Sequence, residues 1–146
     1  MSNLGYEVAM ETLGIRHVAL NVRDAQKSKE FYMKVFGMQL EWEPDPDNVY
    51  LTNGGQDNLA IHKAAEDVRL DLPGALDHFG MMVPRMEDVD TWYKKVTSFG
   101  VKIAKEIKTH RDGARSFYMA DPDGNIIQVI YHPPISRRAQ VDHRTE

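Results

Sequence analysis

The 146-residue sequence contains no cysteine. That absence removes disulfides, thiolate metal sites and cysteine nucleophiles together, so any metal must be held by imidazole and by oxygen donors from Asp, Glu or Gln. No uninterrupted apolar run approaches the roughly 20 residues that a membrane-spanning helix needs, and no membrane association is expected. The opening MSNLGYEVAMETLG lacks the cationic and apolar regions of a secretory signal, which predicts a cytoplasmic protein. Positive charge is not in excess either. The 18 Lys and Arg are outnumbered by 22 Asp and Glu, for a formal charge of −4, and the basic residues are scattered. That leaves no footprint for nucleic acid, and the expected partner is a small molecule. Hydrophobic residues make up 42% of the chain, enough for one domain with a core.

What is present is a repeat. Aligning GIRHVALNVRDAQKSKEFYMKVFGMQL from Gly14 with ALDHFGMMVPRMEDVDTWYKKVTSFGVKI from Ala75 places His17 on His78, Val22 on Val83, Phe31 on Trp92, Tyr32 on Tyr93 and Val35 on Val96. After a small insertion in the second copy, Phe36-Gly37 falls on Phe99-Gly100. Two copies at so long a period indicate a duplicated half-domain rather than a solenoid.

Each copy predicts a strand, a helix and three further strands. The first strand is expected over 15–22, where Val18, Leu20 and Val22 alternate with His17, Ala19 and Asn21, so the histidine faces away from the larger hydrophobes. Asp24 is a fitting N-cap for a helix over 25–35, and Gly37 and Gly100 sit where a helix ends in a left-handed residue. In the second copy Val89, Trp92, Tyr93, Val96 and Phe99 form an apolar stripe at helical spacing, and Trp92 and Tyr93 read as helix-to-sheet packing. Strands are expected over 38–43, 48–52 and 58–63, and again over 101–107, 115–120 and 125–131. The intervening PDPD, NGGQD, THRDG and DPDG are turn compositions, and the acidic ones lack the spacing of a calcium loop. The fold class is α+β, two βαβββ modules, 14–63 and 75–132. AEDVRLDLPG is the linker, 1–13 an extension and 133–146 a polar, frayed tail.

A histidine on the first strand of each half, together with GARSFYMADPDGNIIQVI at 113–130, resembles the vicinal oxygen chelate superfamily, which includes glyoxalase I, extradiol dioxygenases, fosfomycin-resistance thiol transferases and bleomycin-binding proteins. The resemblance spans about 14–132. It implies a curved, cleft-enclosing mixed sheet holding a divalent metal such as Zn, Fe, Ni or Mn. It places the metal ligands on His17, His78 and Gln128, the last of these standing where a glutamate is common. On the last strand of the first half the matching position falls on Ala60, with His62 one pleat further along the same face. His62 is then the candidate catalytic base. His110 lies in the hairpin KTHRDGARS, which in this fold can overhang the cleft; it, Arg115 and Met82 are the candidate substrate contacts. The resemblance also implies a homodimer.

A lone histidine in an apolar strand is ordinarily a satisfied core residue. Two at matched positions of a repeat favour a shared ligand role, because neutral imidazole on equivalent strands of a symmetric pair can converge on one ion. The function implied is a glyoxalase- or dioxygenase-like metalloenzyme, a lyase, isomerase or dioxygenase, whose metal chelates two neighbouring oxygens of a small substrate. Gln128 carries no charge and weakens that reading. The alternative is a metal-free binding or drug-sequestering protein of the bleomycin-resistance kind, with Ala19, Gly80 and Met82 lining a soft cleft.

Overall fold

A computed structural model of the chain describes residues 12–70 and 74–142. The first module runs β1 (His17–Val22), α1 (Ala25–Phe36), β2 (Gln39–Asp45), β3 (Asn48–Thr52) and β4 (Asn58–Lys63). The second runs β5 (Phe79–Met82), α2 (Met86–Ser98), β6 (Ile103–Thr109), β7 (Arg115–Ala120) and β8 (Ile126–Tyr131), followed by α3 (Pro133–Asp142). The two βαβββ units give two four-stranded mixed sheets, ordered β1-β4-β3-β2 and β5-β8-β7-β6, each with one parallel pair and a meander. The sheets do not close into one another: β1 and β5 are both edge strands.

Local sequence explains the helices. Asp24 accepts from the backbone N–H groups of Gln26 at 3.0 Å and Lys27 at 3.1 Å, satisfying donors that the first turn of α1 leaves open. Gly37 ends that helix at φ 67°, its N–H returning to the Met33 carbonyl. In α2 the Asp88 carboxylate reaches back to the Arg85 N–H. Each helix lies on one face of its own sheet, where Leu20, Val22, Leu59 and Ile61 in the first module and Phe117, Met119, Ile127 and Val129 in the second are buried. Burying side chains of this size contributes about 1.5–3 kcal/mol each.

The modules are joined through α1. Phe36 stacks on Trp92 at 5.5 Å, and Tyr32 packs against Phe79 at 6.4 Å. The buried Tyr32 hydroxyl donates to Asp121 Oδ2 at 2.7 Å, while Asp123 accepts from the Arg23 N–H and the Ser28 hydroxyl. The DPDG turn is therefore also an inter-module junction. Asp121 builds it by accepting from Asp123 N, Asn125 N and Asn125 Nδ2, each at 2.9 Å.

Two expectations need correction. The first strands start later than their hydrophobic pattern suggests: His17 opens β1, and His78 lies one residue before β5. The segment from 133 is not a frayed tail throughout, because α3 occupies Pro133–Asp142. Proline suits a first helical turn, whose N–H groups are unpaired anyway. Ser136 then fixes the turn, its hydroxyl donating to the Val83 carbonyl at 2.8 Å and accepting from the His132 N–H at 3.0 Å. The expected extension falls largely on residues 1–11, and part of the linker on 71–73, outside the described residues.

Candidate metal and substrate cleft

Each sheet has a second face that its helix does not cover, and the pleat decides what stands there. On β1 and β4 the register pairs His17 with Asn58, Ala19 with Ala60 and Asn21 with His62, so these six residues share that face. On β5 and β8 it pairs Gly80 with Gln128 and Met82 with Ile130. His78 precedes Gly80 by two residues and joins the same face. The repeat is thus exact in register at this point: Ala19–Ala60 in one module corresponds to Gly80–Gln128 in the other. Ala60 stands where Gln128 stands, and His62 lies one pleat beyond it.

The histidines are held in one orientation. His17 Nδ1 donates to Asn58 Oδ1 at 2.7 Å, His78 Nδ1 to Asp77 Oδ2 at 2.6 Å, and His62 Nδ1 to Asn48 Oδ1 at 2.7 Å. An oxygen acceptor at Nδ1 keeps the proton there and leaves the lone pair on Nε2. None of these three Nε2 atoms has a hydrogen-bond partner among the described residues. Gln128 is fixed in the same sense: its Nε2 donates to Ser116 Oγ at 3.0 Å, which turns the carbonyl Oε1 outward as an acceptor.

On the second sheet His78 and Gln128 flank Tyr118, whereas His17 lines a separate pocket with Asn58, Phe79 and Gly80. The Tyr118 ring meets His78 edge-on at 5.1 Å, and Tyr118 is the register partner of Gln128. A cleft of about 700 Å³ opens here, lined among others by Tyr118, Gln128, Ile130, His110, Arg111 and His132. His110 Nε2 lies 3.3 Å from the Ser116 hydroxyl, so the hairpin does reach over this face. On the first sheet Tyr50 occupies the corresponding place, edge-on to His62 at 5.7 Å and stacked on Trp42 at 5.2 Å.

Arg115 is elsewhere. Its guanidinium makes two hydrogen bonds to the Asp90 carboxylate, at 3.0 and 2.7 Å, and donates to Thr109 Oγ1 at 2.7 Å. Asp90 belongs to α2, so Arg115 points to the helix-packed side of β7 with Phe117 and Met119, away from Tyr118 and Gln128. The neighbouring Arg115 holds the Asp90 carboxyl below its ordinary range. Met82 is exposed and pairs with Ile130, but it lines a separate cavity with Arg16, Phe36 and Trp92 rather than the cleft of Tyr118 and Gln128. Ser116, Tyr118, Asn58 and Asp77 were not singled out from sequence. Tyr118 was within reach, because it stands directly opposite Gln128 on an antiparallel pair.

Among the described residues no three His, Asp or Glu side chains gather in a metal-binding group. The oxygen donor on the face of His78 is the amide of Gln128.

A sequence model of the Glyoxalase/Bleomycin resistance protein/Dioxygenase superfamily matches residues 14–129. The chain belongs to this superfamily. The metallothiol transferase FosB of Bacillus licheniformis is 30% identical over 117 residues, 80% of this chain and 74% of that protein. The phenazine antibiotic resistance protein EhpR of Enterobacter agglomerans is 31% identical over 111 residues, 74% and 84% of the two chains. Among solved structures, lactoylglutathione lyase from Agrobacterium tumefaciens matches with a TM-score of 0.70 over 86% of this chain and 98% of that one, at 22% identity, a likeness of fold alone. Superfamily members thus include enzymes and resistance proteins. No helix among the described residues is long and apolar enough to cross a membrane.

Proposed function

We propose that this superfamily member is a metalloenzyme acting on a small substrate with neighbouring oxygen donors, with His17, His78 and Gln128 as ligands to a divalent cation. The observation that carries the reading is the shared polarity of the donors: each imidazole is tied down at Nδ1 and each presents Nε2, while Gln128 presents Oε1. Metal-binding histidines characteristically give their other N–H to a carboxylate or carbonyl, which sets ring orientation and raises basicity. When bound, the cation supplies Lewis-acid stabilisation of an oxyanion on the chelated substrate. His62 is positioned to exchange a proton through Nε2, since Asn48 holds its other nitrogen. Tyr118 and Ile130 give the substrate its apolar walls, and the hairpin carrying His110 limits access of water. The similarity to a metallothiol transferase supports a metal-dependent reaction without fixing which one.

The cytoplasmic location is part of the same proposal, as is a homodimer. The dimer rests on membership of the superfamily. Analytical ultracentrifugation checks it, with a single dimeric species expected and a monomer at micromolar concentration contradicting it.

The site is tested by elemental analysis of freshly purified and metal-supplemented protein. About one equivalent of Zn, Fe, Ni or Mn is expected, falling below about a tenth in the His17→Ala/His78→Ala variant. Full occupancy in that variant would move the site elsewhere. No metal in the parent protein would favour the metal-free binding role.

A further inference from the structure

We propose that the cleft on the second sheet grips an anionic group of its ligand through Lys105, Lys108 and Arg111. The proposal rests on reading that face as the ligand-binding cleft, and names the substrate class it takes. The argument begins with a register irregularity. Lys105 pairs with Tyr118 and Lys108 with Ser116, so three steps along β6 match two along β7. Residues three apart on a regular strand point to opposite faces; the extra residue of the bulge puts both lysines on the face of Tyr118 and Ser116. Lys105 Nζ indeed lies over the Tyr118 ring, 4.9 Å from its centre.

The duplicated module serves as an internal control. It has the same irregularity in β2, where Trp42 pairs with Tyr50 and Asp45 with Asn48. The position of Lys105 is there a tryptophan stacked on the tyrosine, and that of Lys108 is an aspartate that receives the Asn48 amide. The bulge belongs to the fold, and the charge belongs to the second copy.

The loop at the end of that hairpin is also longer in the second copy. Only Pro46 and Asp47 separate Asp45 from Asn48, whereas Thr109 to Arg115 lie between Lys108 and Ser116. The added residues carry His110 and Arg111 to the cleft, which Lys108 and His132 also line. Lys105, Lys108 and Arg111 have no ion-pair partner among the described residues. The nearby acids are engaged: Asp112 accepts from the Ala114 N–H, Asp77 from His78, and Glu106 from the Tyr93 hydroxyl on the helix side. The three cations of this face outnumber the one carboxylate, Asp112, that lines the cleft beside them, and an anion relieves the repulsion that remains.

The test uses the full chain treated with EDTA, so that it reads this cleft and not the metal. Calorimetric titration compares benzoate and phenylphosphonate with the neutral benzamide. One of the anions should bind at least about tenfold more tightly than benzamide, weaken several-fold between 50 and 200 mM salt, and identify carboxylate or phosphonate as the preferred group. Lys105→Gln/Lys108→Gln, and separately Arg111→Gln, should each remove most of that preference at unchanged melting temperature. Equal affinity for benzamide, or anion binding that none of these variants weakens, would overturn the proposal. Metal analysis is independent of this result: loss of the metal reading leaves the anion preference standing, and the reverse also holds.

Discussion

Gln128 is the residue on which the chemistry turns. Its amide supplies an oxygen without charge, so in the proposed site a cation would be held by two neutral imidazoles and a dipole. Gln128→Glu should tighten Zn²⁺ binding by on the order of tenfold or more, because a carboxylate adds a full opposite charge at contact distance. Competition with a chromophoric chelator measures it, and unchanged or weaker affinity would remove Gln128 from the ligand set. The equivalence of His17 and His78 was legible in the sequence because alignment of the two halves needs only one register, whereas Gln128 was reached through the resemblance of its DPDGNII segment. Arg115 was not placed correctly, for a physical reason. RSFYMA has apolar or aromatic side chains at both alternating positions, so the sequence does not say which face is buried; the structure puts Phe117 and Met119 inside, and Arg115 goes with them. Asn58 and Asp77 escaped notice because their role is to orient a histidine, which only contact geometry reveals.

At the level of elements, the pairing of β7 with α2 through Arg115 and Asp90 carries a pH dependence whose sign is fixed. The Asp90 carboxyl titrates below its ordinary value near 3.9 because Arg115 stabilises the charged form, so the folded protein binds this proton less readily than the unfolded chain does. Its stabilisation is complete above the ordinary value and is lost as pH falls through the lowered one. Asp90→Asn should therefore reduce stability at neutral pH while flattening the decline in acid. Since the Asp90 side chain is 45% exposed, the difference stays below about 1 kcal/mol. Denaturant melts at pH 7 and pH 3 check this; a larger loss at pH 3 than at pH 7 would contradict it. Helices and middle strands were readable from caps and periodicity: Asp24, Gly37 and the bounds 48–52, 58–63 and 115–120 fall where the pattern puts them. The bulges in β2 and β6 were not, since one extra residue changes the pairing without leaving a compositional mark. The α3 helix was hidden by the polar composition of 133–146, which reads as a frayed tail until Ser136 is seen anchored to Val83.

In the molecule as a whole, two copied units share a core whose polar centre is the Tyr32–Asp121 contact. Burial, followed by the adjacent Asp121 charge, pushes the Tyr32 hydroxyl pKa well above its usual value, so it remains a donor throughout the working pH range. Tyr32→Phe should cost about 1.5–3 kcal/mol, the range for a hydrogen bond to a charged group, with the denaturant slope unchanged if the modules still unfold together. A change in slope, or two transitions, would show that this contact is what couples them. The family and the α+β plan were visible before any coordinates, because the duplication and the DPDG segment span most of the chain. The separation of the two sheets was not visible, since no local pattern reports which strand edges meet.

In the proposed site His17 and His78 both present Nε2 to one cation. Cadmium-113 binding to protein labelled with ¹⁵N in histidine tests it directly. The account predicts one-bond cadmium–nitrogen couplings at Nε2 of His17 and of His78, with both Nδ1 atoms still protonated. Cadmium bound without coupling to either ring, or coupled through Nδ1, would contradict it.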